Sequence, residues 1–346
     1  MYIKSVIDEN KNIYITYWLL LITVLVALMI VVGGLTRLTD SGLSITRWDI
    51  ISGILPPLSS GDWEKSFSLY KEIPEFKLIN FSMTLDEFKI IYWWEYTHRM
   101  LGRLIGLFYL MPLFYFTLKK MIHKKSIISL YMILILILFQ GFVGWYMVKS
   151  GLTERTDVSH YRLSLHLTLA FIIFIMLFWN YLKSKKKQSI DYHKKIPVYL
   201  PIIFSFIILV QISIGAFVSG LDAAQIYQTW PLMNYSYYPD DSSFKELFTL
   251  QIFETPSLVQ FIHRNLAYII FLIFCYISII IYRDKNFSYL KNSIIFIFII
   301  LFLQIFLGIL TIISGAQIII ASLHQLGSIF LLTGSLILVF KNSKIS

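Results

Sequence analysis

Apolar residues gather into eight long runs separated by polar segments, near residues 14–36, 98–118, 127–148, 163–182, 197–220, 258–282, 293–314 and 319–340. A helix needs about 20 residues to cross a hydrocarbon core, and every run reaches that length. The connections are of two kinds. Some are short and basic, carrying Lys119, Lys120, Lys124 and Lys125, then Lys183, Lys185, Lys186, Lys187, Lys194 and Lys195, then Arg283, Lys285 and Lys291. Lys4, Lys11, Lys341 and Lys344 near the termini belong with them. The others, at 37–97, 149–162, 221–257 and 315–318, hold most of the acids, among them Asp62, Glu64, Glu72, Glu75, Asp240, Asp241 and Glu254. Lysine bias marks the cytoplasmic side. An even number of crossings then puts both termini in the cytoplasm and the 37–97 segment outside.

That outer segment is longer than most connections in compact domains. It holds Pro56-Pro57 and the aromatics Trp48, Trp63, Tyr70, Phe76, Trp93 and Trp94, which predicts a small folded cap or interfacial element. The 221–257 segment, with Tyr227, Trp230, Tyr235, Tyr237 and Tyr238, is a shorter counterpart. Single aromatics at this depth read first as interfacial anchors.

The pattern repeats. Gln140, Gly144 and Gly151 match Gln304, Gly308 and Gly315 at an offset of 164, and His98 matches His263 at 165. Leu165-His166-Leu167 matches Leu323-His324-Gln325, and Gly33 with Asp40 finds a looser counterpart in Gly215 with Asp222. Four helices per half give both halves the same orientation, so the repeat is parallel, about an axis along the membrane normal. The predicted fold is an all-α integral membrane protein, with eight transmembrane helices as two repeat-related four-helix bundles, 1–190 and 191–346.

Composition agrees with this and removes other classes. Of 346 residues, 57% are hydrophobic and 14% charged, against about 25% charged in soluble chains. The net charge of +10 resides mainly in short loops, as a membrane topology requires, so nucleic acid is not an expected partner. The single cysteine, Cys275, lies inside an apolar run and supplies neither a disulfide framework nor a thiolate cluster. Residues 1–13 show no cleavable signal pattern and no Arg-rich transit pattern.

Seven histidines remain to be placed. His123 and His193 fall in basic loops and His160 in an outer loop, and all three read as solvated. The other four, His98, His166, His263 and His324, open the even-numbered crossings and so lie near the outer face as two pairs. Imidazole suits Zn, Cu, Fe and Ni alike. Zinc gathers three or four protein ligands, whereas a pair facing across an apolar bundle suits a planar haem with two axial ligands. Arg99, Arg103 and Arg264 could neutralise haem propionates, or simply snorkel to headgroups.

The halves differ chemically. Around His98 the chain reads Trp93-Trp94-Glu95-Tyr96-Thr97-His98-Arg99-Met100-Leu101-Gly102-Arg103, a polar stretch running into an apolar one. Glu95 stands three residues before His98, on the same helical face, while neutral Gln260 stands three before His263. Arg103 matches Tyr268, and Arg162 matches Ile320. Chemistry is therefore expected in the first bundle and a permanent cofactor in the second.

The chain resembles the haem A synthase family over nearly its whole length. The resemblance rests on Gly33-Gly34-Leu35-Thr36-Arg37-Leu38-Thr39-Asp40-Ser41-Gly42-Leu43-Ser44, Trp93-Trp94-Glu95-Tyr96-Thr97-His98-Arg99 and Tyr161-Arg162-Leu163. It continues through Gly220-Leu221-Asp222-Ala223, Gln260-Phe261-Ile262-His263-Arg264 and Leu323-His324-Gln325. It looks like the subgroup of mitochondria and related bacteria, lacking the cysteine pair that other members carry in the first outer loop. The resemblance implies oxidation of a methyl group of haem O to a formyl group, giving haem A for terminal oxidases. It implies haem b (iron) on His263 and His324, haem O held by His98 and His166, and Glu95 as a reacting carboxylate, in a bacterial inner membrane. Implied partners are the lipid bilayer, an electron acceptor in the membrane and a haem O synthase delivering substrate. A homo-oligomer is compatible with the reading. The competing reading is a di-haem b-type cytochrome acting only in electron transfer. It would place haems near both faces, and the four histidines lie near one. A metal-ion transporter would need polar residues deep in the spans.

Overall fold

The computed structural model describes residues 2–48, 52–154, 156–185 and 194–343. Of the positions singled out above, His193, Lys186, Lys187 and Lys344 lie outside the described residues, as do the side chains of Lys4 and Lys11.

Among the described residues ten α-helices follow one another: α1 (Tyr2–Leu38), α2 (Ser60–Tyr70), α3 (Pro74–Leu78), α4 (Leu85–Leu118), α5 (Lys124–Glu154), α6 (His160–Ser184), α7 (Tyr199–Gly220), α8 (Pro256–Arg283), α9 (Lys291–Ile313) and α10 (Ile318–Ser343). All but α2 and α3 are long and apolar enough to cross a membrane, which gives the eight crossings the pattern predicts. Among the described residues β-pairing amounts to one isolated bridge, Met233 with Ser236. Helices are the expected outcome, because lipid offers backbone groups no hydrogen-bond partner outside the segment itself. Large side chains such as Leu21, Val24 and Leu28 on α1, or Phe298, Ile299 and Phe302 on α9, remain exposed. A soluble helix would bury such a face; here lipid covers it.

The chain divides into two compact units, Met1–Ser184 and Lys185–Ser346. In the first, α1 packs on α4 and α6, and α5 closes the ring against both. In the second, α7 packs on α8 and α10, and α9 closes the ring in the same way. Polar side chains act as interhelical ties in an interior with little water. Trp18 donates to the Phe108 carbonyl at 2.9 Å, Tyr109 to the Leu130 carbonyl at 2.7 Å, and Asn180 to Ser129 at 2.9 Å. In the second unit Asn342 both accepts from the Ile196 amide and donates to the Ile196 carbonyl, each at 3.1 Å, tying the entry to the last helix.

One predicted boundary is corrected. The crossing expected to start at residue 98 starts at Leu85, so Trp93–Arg103 is helical throughout and the outer connection shortens accordingly. Thr84 caps α4 through a reciprocal box with Glu87, a strong start signal. The added turns bury Phe88, Ile91, Tyr92 and Glu95 at helical spacing, with charged residues on the other face. An amphipathic stretch of this kind does not register as an apolar run.

The cap before α4 is folded, as expected. Leu43, Phe67, Tyr70, Ile73, Phe88, Ile91 and Tyr92 form its core, and burying each such side chain contributes about 1.5–3 kcal/mol. Inside it Glu75 is 4% exposed, accepting from Tyr70 at 3.2 Å and Asn80 at 3.3 Å. Burial pushes its carboxyl up to about 8.

Candidate functional site

The four paired histidines sit inside their helices rather than at the ends. His98 lies about three and a half turns into α4, and the others about two turns into α6, α8 and α10. Within the first unit the His98 and His166 rings stand 6.5 Å apart, centre to centre. Within the second, His263 and His324 stand 6.4 Å apart. Two metal–imidazole bonds of about 2.0–2.1 Å, with about 1 Å more from each nitrogen to its ring centre, would separate two ligating rings by about 6 Å. Both pairs therefore have the spacing of two axial ligands on one metal.

Each ring is only half-buried, but its Nδ1 is sealed from solvent and has no hydrogen-bond partner. Such an atom in a packed interior asks for a ligand or water. Among the described residues no group of three or more His, Cys, Asp or Glu side chains gathers. Paired donors suit a macrocycle that brings four equatorial nitrogens of its own, and the residues present fit a haem in each unit.

Why the rings lie there is written in the preceding helix of each hairpin. A Cβ on Gly33 of α1 would come 2.9 Å from His98 Cε1, and one on Gly144 of α5 3.0 Å from His166 Cε1. Gly215 of α7 stands in the same relation to His263, and Gly308 of α9 to His324, each at 3.1 Å. Any side chain there would push the ring away, so glycine sets the ring position. Four residues before these glycines, Gln140 donates to the His166 carbonyl at 3.0 Å and Gln211 to the His263 carbonyl at 2.9 Å. On α1 that place belongs to Met29, whose Cε packs against Gly102.

Glu95 and Arg99 form a buried clamp in the first unit. Glu95 is 3% exposed. Its Oε2 accepts from Ser44 Oγ and the Ile45 amide, both at 2.7 Å. Its Oε1 accepts from Arg99 Nε at 3.0 Å and Nη2 at 2.5 Å. Arg99 also donates to the carbonyls of Ile45 (2.9 Å) and Arg47 (3.2 Å) and lies over the Trp48 ring at 4.5 Å. The segment after α1 is thus gripped by two residues flanking His98.

The second unit builds the same grip without a carboxylate. Gln260 donates to the Tyr227 carbonyl at 3.1 Å, and Arg264 donates to the same carbonyl at 3.0 Å and to that of Leu232 at 3.4 Å. Gln260 Oε1 and Arg264 Nε remain buried and unpartnered. Asp40 and Asp222, in matching left-handed conformations, end the turns that lead into the two gripped segments.

Other expectations fare differently. Arg99 and Arg264 are largely committed to these clamps, and Arg103 Nη1 lies 3.6 Å from Met100 Sδ. Arg162 of α6 bonds Ser150 and lies over the Tyr146 ring at 4.7 Å. His123 is exposed, as expected, and its Nδ1 accepts from the Lys125 amide. His160 is not solvated. It is 7% exposed, because α6 begins at this residue and sets its ring against that of Tyr161, 4.5 Å between centres and tilted by 40°. Ser44, Ile45 and Tyr227, which complete the clamps, carry no chemical signal in a sequence.

Known proteins resemble this chain along nearly all of it. A protein of Pelagibacter ubique (strain HTCC1062) named "Heme A synthase" is 47% identical over 345 residues, covering 99% of this chain and 100% of that one. Proteins of the same name from Rickettsia felis and from Wolbachia pipientis of Culex pipiens are 43% and 44% identical, covering 92% and 93% of this chain and 95% of each relative. The family described as cytochrome oxidase assembly protein (COX15-CtaA) matches residues 16–336. With its paired histidines each set against a glycine, the chain belongs to that family.

Proposed function

We propose that the protein is a haem A synthase, an oxidoreductase converting a methyl group of haem O into the formyl group of haem A. The observation that carries the reading beyond its relatives' name is the pair of like-spaced histidine sites, only one of which has a carboxylate beside it. The reaction adds the oxygen of one water to the methyl carbon and releases four protons and four electrons to an acceptor in the membrane. His263 and His324 hold a resident haem b, which supplies reversible one-electron chemistry when bound. His98 and His166 hold haem O in the first unit and orient its methyl group.

Glu95 has two tasks in this reading. It clamps the segment after α1, as Gln260 does in the other unit. It is also the ionisable group one helical turn from His98, and we assign it proton transfer. Both its oxygens are engaged, so it takes up a proton only as one bond loosens. Ser44, whose hydroxyl also lies 3.3 Å from the Ile91 carbonyl, is the donor that can turn away. The distribution of lysines supports a cytoplasmic-membrane protein with both termini in the cytoplasm and the histidine pairs nearer the outer face.

The alternative, a di-haem cytochrome limited to electron transfer, finds no support in the relatives. Pigment extraction after expression with a haem O supply tests the reading. Haem A is expected, and haem b with unchanged haem O would refute it.

A further inference from the structure

Against the segment that the clamp grips lies a cavity of about 220 Å³ that the clamp does not fill. Its walls come from the segment after α1 (Ile45, Thr46, Trp48), from Arg99 on α4, and from Trp145, Val148, Lys149 and Leu152 on α5. Two of these residues stand next in the chain to residues of the histidine site. Arg99 follows His98, and Trp145 follows Gly144, against which His166 rests.

The wall carries two cations and no acid. The Glu95 ion pair offsets the Arg99 charge, and its four hydrogen bonds leave one Nη1–H of the five guanidinium N–H groups. Lys149 is exposed, its ammonium 5.0 Å from the Trp145 ring centre. Two indoles and the aliphatic side chains make the surroundings apolar, which strengthens a charge-assisted bond to an incoming anion. The second unit lacks this equipment. The offset that relates α5 to α9 puts Ile309 in the place of Trp145 and Ile313 in that of Lys149.

We propose that this cavity receives a propionate carboxylate of the substrate haem, with Lys149 and the remaining Arg99 N–H as its donors. The proposal rests on the haem O reading above. A macrocycle ligated between His98 and His166 carries its propionates on one edge, several ångströms from the iron. Lys149 lies about 7.5 Å along α5 from Gly144, a matching displacement. The asymmetry follows from the two tasks. A resident haem is held for good, whereas a substrate must arrive and leave, and a solvent-facing lysine recognises a carboxylate without sealing it in.

The test is a spectral titration of the full-length protein, still carrying its resident haem, with haem O and with haem O dimethyl ester. Lys149→Met should weaken haem O binding by about tenfold or more, and Lys149→Arg should restore most of it. Esterification should cost the wild type a similar factor and cost Lys149→Met nothing further. The resident haem spectrum reports that the second unit of each variant is folded, and a thermal-unfolding midpoint equal to that of the wild type reports the same for the first. Wild-type affinity in Lys149→Met, or an equal esterification penalty in both proteins, overturns the proposal. So does a Lys149 effect seen only in membranes containing anionic phospholipid, which would assign the cavity to a lipid headgroup. If haem O binding is indifferent to His98→Ala, the underlying site reading has failed instead.

Discussion

The first unit grips the segment after its opening helix with Glu95 and Arg99; the second grips its own with Gln260 and Arg264. Position and purpose match, yet one clamp contains a carboxylate and the other an amide. The comparison separates what the architecture needs from what the chemistry needs. An amide holds the second loop by donating to the Tyr227 carbonyl, whereas Glu95 holds the first only by accepting, from Ser44 and the Ile45 N–H. Buried ion pairs are seldom the most stable choice for a site. The carboxylate is best explained by a task that an amide cannot perform, and proton transfer is the task we propose for it.

Substitution of the paired histidines, the proposed haem ligands, should have the largest effect. His263→Ala or His324→Ala should abolish the low-spin haem b spectrum, while His98→Ala should leave it in place and stop haem A formation. Spectra of the isolated proteins, with pigment analysis, check both halves of the comparison.

Glu95→Gln transplants the amide of the second unit into the first. The amide oxygen can still accept from Ser44 and the Ile45 N–H, while the paired bonds from Arg99 are lost. The clamp should therefore loosen but haem b content in the second unit should be normal, while haem A formation falls by about 10²–10⁴-fold and haem O or a partly oxidised haem accumulates. Near-normal haem A at normal protein level would reduce Glu95 to its clamping role. Arg99→Ala differs in kind. Leaving the buried Glu95 charge unpaired should cost about 3–5 kcal/mol, seen as lost expression or a lowered midpoint of thermal unfolding.

A smaller effect is expected from the glycines. Gly215→Ala sets a methyl 3.1 Å from His263 Cε1, and overpacking of this kind costs about 1–3 kcal/mol. The variant should be isolated with less haem b and a perturbed spectrum. Gly33→Ala, whose methyl would lie 2.9 Å from His98 Cε1, should leave that spectrum intact and weaken haem O binding.

The smallest effect concerns the cap, a feature of the first unit. Glu75 ionises near 4.5 when unperturbed and near 8 in the fold. Between these values the folded state holds the extra proton, so cap stability falls as pH rises through that window. The slope is at most about 1.4 kcal/mol per pH unit. Hydrogen exchange over residues 70–80, corrected for its intrinsic pH dependence, should show protection declining from pH 5 to pH 8, and Glu75→Gln should remove that decline.

The eight crossings were legible because length and apolarity alone demand them. The start of α4 was not, since Phe88, Ile91, Tyr92 and Glu95 face inward among charged neighbours. The box Thr84-Leu85-Asp86-Glu87 was the signal available for it. The histidine pairs were legible from their repetition. Gly33, Gly144, Gly215 and Gly308 showed as repeat markers, but that each abuts an imidazole emerges only once the helices pack. Lys149 gave no sign at all, because an exposed lysine near a helix end is ordinary until Arg99, Trp48 and Trp145 are seen around it. His160 misled because it stands in a polar stretch, and only the start of α6 there buries it.

The division of labour between the units is tested most directly by counting haem. Purified protein, with the haem b proposed for its second unit, is titrated with haem O, and the added low-spin absorbance is followed in wild type, His98→Ala and His166→Ala. The account predicts one further equivalent in the wild type and none in either variant, with the resident spectrum unchanged throughout. A further equivalent that persists in both variants, or a resident spectrum that vanishes with His98, would contradict it.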